Sequence, residues 1–151
     1  MTFKSHMDAA LAEARKAADR GEVPVGAVLV SPEGEVLARA GNETRALNDP
    51  TAHAEVLVIR AACEVLGSER LTGCDLYVTL EPCAMCAGAI SAARVARLYY
   101  GAPDLKSGGV ANGARVFAHP QSHHAPEVYD GIAADESEAL LKAFFEEKRR
   151  A

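Results

Sequence analysis

His53, Glu55, Cys83 and Cys86 are the residues whose types and spacing carry usable chemistry. The two cysteines stand three apart in Pro82-Cys83-Ala84-Met85-Cys86, so on a helix their sulfurs face the same way and can share a metal. Thiolate and imidazole are preferred zinc ligands. Pro is favoured in the first turn of a helix, so Glu81-Pro82 marks a helix start and sets both sulfurs near its N-terminus. The unsatisfied amides and the positive dipole end found there favour thiolate over thiol. His53 opens a separate helix, so two helix N-termini can point into one pocket at the end of a sheet. A His, Cys, Cys set leaves the fourth tetrahedral position for water, the feature that separates catalytic from structural zinc sites. Glu55, two residues past His53, then lies at the metal without being a ligand and can move protons. Zinc lowers the pKa of water it holds from about 15.7 towards about 7. With Glu55 as the shuttle, such a water can attack an electron-poor carbon and drive out a leaving group that Glu55 protonates.

The elements that must position these residues can be read from periodicity. Met7, Ala10, Leu11, Ala14, Ala17 and Ala18 recur at helical spacing over residues 5–20, and Gly21 is a stop signal. Strand-like runs at 25–30 and 36–41 flank Ser31-Pro32-Glu33-Gly34-Glu35, which predicts an antiparallel hairpin. Residues 51–66 read as a buried helix ending at Gly67, residues 75–80 as a strand, the cysteine helix runs to Ala93, and residues 95–100 form the next strand. About two dozen residues then lead to a short fifth strand at 127–129, enough for a crossover between parallel strands. A helix over 135–150 closes the chain with Leu140, Leu141, Phe144 and Phe145 on its inner face; since the two Phe are adjacent, one is expected in the core and the other against a partner or substrate. The order implies one α/β domain over residues 1–151, a three-layer α/β/α sandwich around a mixed five-stranded sheet.

His53-Ala54-Glu55 followed by Pro82-Cys83-Ala84-Met85-Cys86 completes the H-x-E…P-C-x-x-C signature of zinc deaminases, a far more specific pattern than a lone C-x-x-C. The chain also closely resembles the bacterial tRNA-specific adenosine deaminases, of the cytidine deaminase-like fold. The resemblance runs through residues 23–30 (Val-Pro-Val-Gly-Ala-Val-Leu-Val), Asn42, residues 49–55, residues 77–89, Gly101-Ala102 with Asp104, Lys106 and Gly108, and Phe144-Phe145. It implies a homodimer that converts adenosine to inosine at the first (wobble) anticodon position of tRNA, an arginine tRNA, with the base flipped into the zinc pocket. It also implies that Asn42 contacts the base, that Asp104 contacts the sugar, and that the basic end of the last helix, Lys148, Arg149 and Arg150, meets RNA. Ala54 and Lys106 join the expected substrate-binding set. Pro103 and Leu105, beside Asp104, depart from the family pattern.

Composition sets the bounds. The chain has 151 residues, 49% apolar and 25% charged, as expected of one globular domain. The apolar run at 25–30 is too short to span a membrane and residues 1–10 lack a signal-peptide pattern, so no membrane role is expected. Four cysteines do not make a disulfide scaffold, which favours a reducing compartment, the cytoplasm. A net charge of -5 gives no general field for polyanions, so an RNA partner must be held by a local basic patch. Zinc is the expected cofactor, with no organic one. Cys63 and Cys74 read as packing or surface thiols, and His123 and His124 as surface or fold-supporting residues. Two rival readings share the metal site: a zinc deaminase of a free base or nucleoside such as guanine or cytidine, and a noncatalytic zinc-stabilised RNA-binding module.

Overall fold

The computed structural model describes residues 5–150; residues 1–4 and 151 of the expected domain lie outside the described residues. The elements are α1 (Met7–Asp19), β1 (Gly26–Val30), β2 (Val36–Gly41), α2 (Ala54–Leu66), β3 (Asp75–Leu80), α3 (Ala84–Ala93), β4 (Arg97–Ala102), a 3-10 turn at Val116–Ala118, β5 (Glu127–Tyr129) and α4 (Ala134–Arg150). The sheet order is β2-β1-β3-β4-β5. β1 is antiparallel to β2 and β3, whereas β3, β4 and β5 run parallel, so the sheet is mixed as the sequence predicts.

Strands buried on both faces alternate their side chains between two cores. Ala27, Leu29, Leu76, Val78, Leu98 and Tyr100 pack with Val58 and Ala62 of α2 and Ile90 of α3. Val28, Val30, Tyr77 and Tyr99 pack with Met7, Ala10 and Leu11 of α1, with Leu140 of α4 at the margin. This is the α/β/α sandwich. Gly26 lets α1 lie close: a Cβ there would sit 2.0 Å from the Ala10 carbonyl oxygen. Tyr77, Tyr99 and Tyr129 occupy matching register positions on β3, β4 and β5. Their rings stack at centroid separations of 4.5 and 5.0 Å, which ties the otherwise exposed β5 to the sheet.

The boundaries differ from the sequence reading in informative places. α2 begins at Ala54 and not near Thr51, because Asp49 closes a turn on Thr51, accepting from its amide at 2.8 Å and its hydroxyl at 2.7 Å. α3 begins at Ala84, which leaves both His53 and Cys83 as extended N-cap residues ahead of their helices. β4 starts at Arg97 and not at Val95, since the Val95 amide closes the end of α3 on Ile90, with Arg94 left-handed between them. Phe144 is core, but Phe145 is 45% exposed and leaves the expected inner face. No helix among the described residues is long and apolar enough to cross a membrane.

Candidate active site

The C-terminal ends of β3 and β4, the start of β1 and the end of β2 meet the N-termini of α2 and α3 at one sheet edge, where open α/β sheets bind ligands. His53 and Cys83 enter as N-caps and Cys86 from the first turn of α3. His53 Nδ1 lies 3.7 Å from Cys83 Sγ and 3.5 Å from Cys86 Sγ, and the three atoms fall within 4.8 Å of one another. Zinc bonds of about 2.3 Å to sulfur and about 2.0 Å to nitrogen at tetrahedral angles separate N and S by about 3.5 Å, so both spacings from His53 to a cysteine suit zinc. They are the only such cluster of three among the described residues.

Glu55 is 4% exposed, and its Oε1 is buried with no hydrogen-bond partner, an acceptor turned to a site that must supply one. Burial pushes its carboxyl up to about 7, against the opposing pull of its own backbone amide and of His53. The Cys86 thiol and the His53 ring hydrogen-bond to Cys83 and hold its thiol down at about 4. Cys86, which shares its proton with that sulfur and is buried, is pushed up. His53 is raised by its hydrogen bond to Cys83. Thiolate and neutral imidazole are the ligating forms, so metal binding at these three residues releases protons.

A cavity of about 250 Å³ opens over these groups, lined by Val23, Val25, Asn42, Leu80 and Asp104 besides His53, Glu55 and Cys83. Asn42 Oδ1 accepts the Ala54 amide at 2.8 Å. Because a backbone N–H only donates, the Asn42 oxygen must face α2, which leaves its NH2 as a donor on the cavity wall. Ala54 itself is fully buried with its amide spent on Asn42. Asp104 lines the cavity, and its Oδ1 also holds the turn amides of Lys106 at 3.1 Å and Ser107 at 2.9 Å. Next to it runs a wider groove of about 900 Å³ that shares Val23, Leu80, Asp104 and Ser107 and carries Lys106, Lys142, Lys148 and Arg149, with Leu105 and Phe145 as apolar walls. Four cationic side chains, Lys106, Lys142, Lys148 and Arg149, therefore line one groove beside the metal site.

The other singled-out residues stay out of it. Cys63 and Cys74 lie elsewhere, Cys74 wholly buried. His124 supports the fold, its Nε2 2.7 Å from the Val95 carbonyl, and His123 is exposed.

Two buried carboxylates escaped the sequence reading. Glu22 Oε2 accepts from the Ala46 amide at 2.8 Å and Oε1 from Arg45 at 3.2 Å and the Thr44 hydroxyl at 3.4 Å. Glu81 holds the opposite loop through five donors. An acid between apolar neighbours, as in Leu80-Glu81-Pro82, was the available signal; the donors are mostly backbone amides, which no side chain advertises. Burial raises the Glu22 carboxyl, but those hydrogen bonds outweigh it and leave its pKa below the ordinary 4.5. A depressed folded-state pKa gives stability that is present above the unfolded value and lost as pH falls through the folded one. Thermal melts from about pH 6 down to about pH 3 should show the wild type losing its stability advantage over Glu22→Gln on acidification.

The comparisons agree with this geometry. Residues 2–102 match the family described as the cytidine and deoxycytidylate deaminase zinc-binding region. The tRNA-specific adenosine deaminase of Agrobacterium fabrum (strain C58) is 62% identical over 150 residues, covering 99% of this chain and 98% of that protein. A solved structure from a study of A-to-I editing by tRNA:A34 deaminases at the wobble position of transfer RNA is 64% identical, with a TM-score of 0.88 over 89% of this chain and 97% of its own. The guanine deaminase of Bacillus subtilis is 42% identical, with a TM-score of 0.64 over 68% of this chain and 66% of its own.

Proposed function

The chain belongs to the cytidine and deoxycytidylate deaminase zinc-binding family, and we propose that it is the hydrolase that converts adenosine to inosine at the first anticodon position of an arginine tRNA. The observation that carries the substrate is the cation-lined groove that runs into the zinc cavity, in a chain 62% identical over nearly its full length to a tRNA-specific adenosine deaminase.

His53, Cys83 and Cys86 hold zinc, which when bound supplies the Lewis acidity that makes water a nucleophile near neutral pH. Glu55 takes a proton from the attacking water and delivers it to the purine ring nitrogen beside the amino-bearing carbon. It then takes the remaining proton from the newly added hydroxyl as that becomes the carbonyl, and gives it to the departing amine. Adenosine and water become inosine and ammonia, and Glu55 ends in the state in which it began. Asn42 offers its NH2 to the flipped base while its oxygen stays fixed on α2. Asp104 meets the sugar at the mouth, and Lys106 and Arg149 meet phosphates along the groove. Ala54 serves through the start of α2, shaping the wall beneath the base.

A homodimer belongs to the same reading. α3 carries no charged residue, yet Ala84, Met85 and Ala92 remain exposed, a surface that suits a second copy better than water. A cytoplasmic location follows from a tRNA substrate and unpaired cysteines.

The test is product analysis on an arginine-tRNA anticodon stem-loop with adenosine at the first anticodon position, beside free adenosine, cytidine and guanine. Inosine in the stem-loop alone is expected. Turnover of guanine alone, the activity named for the Bacillus subtilis relative, would keep the zinc chemistry and replace the substrate.

A further inference from the structure

Glu81 stands between β3 and the metal-binding turn, is 2% exposed, and takes part in none of the ion pairs among the described residues. Its Oε1 accepts from the Asp104 amide at 3.0 Å and from Asn112 Nδ2 at 2.7 Å. Its Oε2 accepts from the amides of Val110 at 3.1 Å and of Ala111 and Asn112 at 3.0 Å. The main chain repeats the link: the Glu81 amide donates to the Ala102 carbonyl and the Gly109 amide to that of Pro82, both at 2.8 Å. Packing leaves no slack, since a Cβ on Gly108 would lie 2.5 Å from Glu81 Oε2 and one on Gly109 2.5 Å from the Ala84 amide nitrogen.

We infer that Glu81 is a positioning residue that locks the substrate-facing loop, residues 104–112, to the Pro82-Cys83 turn that carries a zinc ligand. The argument is geometric. The carboxylate directly fixes the backbone of Asp104, and Asp104 in turn caps the turn of Lys106 and Ser107. One buried acid therefore sets the spacing between the turn that carries Cys83 and the loop that meets the target nucleotide. A carboxylate is the group required, because every partner is a donor and only an acceptor at both oxygens satisfies all five. The substrate part of this inference rests on the tRNA reading above.

Glu81→Gln keeps the shape but presents an NH2 to donors on one side or the other. With the zinc-loaded protein and the anticodon stem-loop, the expected result is a KM raised about tenfold, kcat within about threefold, and zinc content unchanged. Amide hydrogen exchange should quicken at Asp104, Val110, Ala111 and Asn112, while Arg45 and Ala46, held by Glu22, keep their wild-type rates. Adding Asn112→Asp should recover part of the KM, since the carboxamide NH2 then has a carboxylate to donate to; Asn112→Asp alone should impair binding by opposing two carboxylates. Loss of zinc with KM unchanged, or unaltered exchange in the loop, would overturn the assignment. Should the wild type form no inosine in the stem-loop, the tRNA reading fails, and the exchange and zinc measurements still decide the role of Glu81.

Discussion

Glu55→Gln is expected to keep full zinc content and a near wild-type melting temperature while turnover falls by about 10²–10⁴-fold or more. The carboxamide fills the same volume, so Val58 and Ala62 along α2 keep their packing. Gln cannot carry a proton, however, and no other carboxylate lining the cavity combines burial with a free acceptor aimed into it: Glu81 is saturated by five donors, and Asp104 is committed to its turn. Burial also holds the Glu55 carboxyl near 7, where giving and taking a proton are closely balanced. Turnover measured under single-turnover conditions beside metal analysis checks this. Wild-type activity in the variant would move the reaction to another group and revive the reading of a noncatalytic zinc module.

Cys86→Ala should remove the metal and with it all detectable deamination. Cys86 is wholly buried at the first turn of α3, and its loss leaves one imidazole and one thiolate, too few to hold zinc against dialysis. Whatever stability zinc binding adds to the folded state disappears too, so the variant's melting temperature should no longer respond to added zinc or chelator. Cys74→Ala is the matched control. Cys74 is just as buried but lies in the hydrophobic core, its sulfur 3.9 Å from the Thr72 carbonyl, so its loss should cost about 1 kcal/mol of packing and leave zinc content and activity in place. Zinc retained by Cys86→Ala would remove that sulfur from the ligand set.

The sequence disclosed the metal centre almost whole, because ligand chemistry lives in side-chain types and the spacing of Cys83 and Cys86 is a helical one. The sandwich was legible for a similar reason, as β1, β3 and β4 are apolar on both faces and so must be covered twice. What stayed hidden was written in backbone. Nothing in Asp49-Pro50-Thr51 states that α2 waits until Ala54, and this short delay is what makes His53 a cap. The same holds at Cys83. The two acids that brace the mouth, Glu22 and Glu81, were overlooked because most of their partners are amides from loops brought near only by folding. Adjacent Phe144 and Phe145 signalled a divided role, and the fold assigns the core to the first.

The chain has four tyrosines and no tryptophan, and three of those tyrosines form the stack across β3, β4 and β5. Its near-ultraviolet signal is therefore dominated by a single column of coupled chromophores. The outermost ring, Tyr129, is carried by a strand of only three residues. Should that strand detach, the column loses one transition dipole while the helices keep theirs, so circular dichroism near 280 nm reads the seating of one sheet edge in the unmodified protein, with no dye attached.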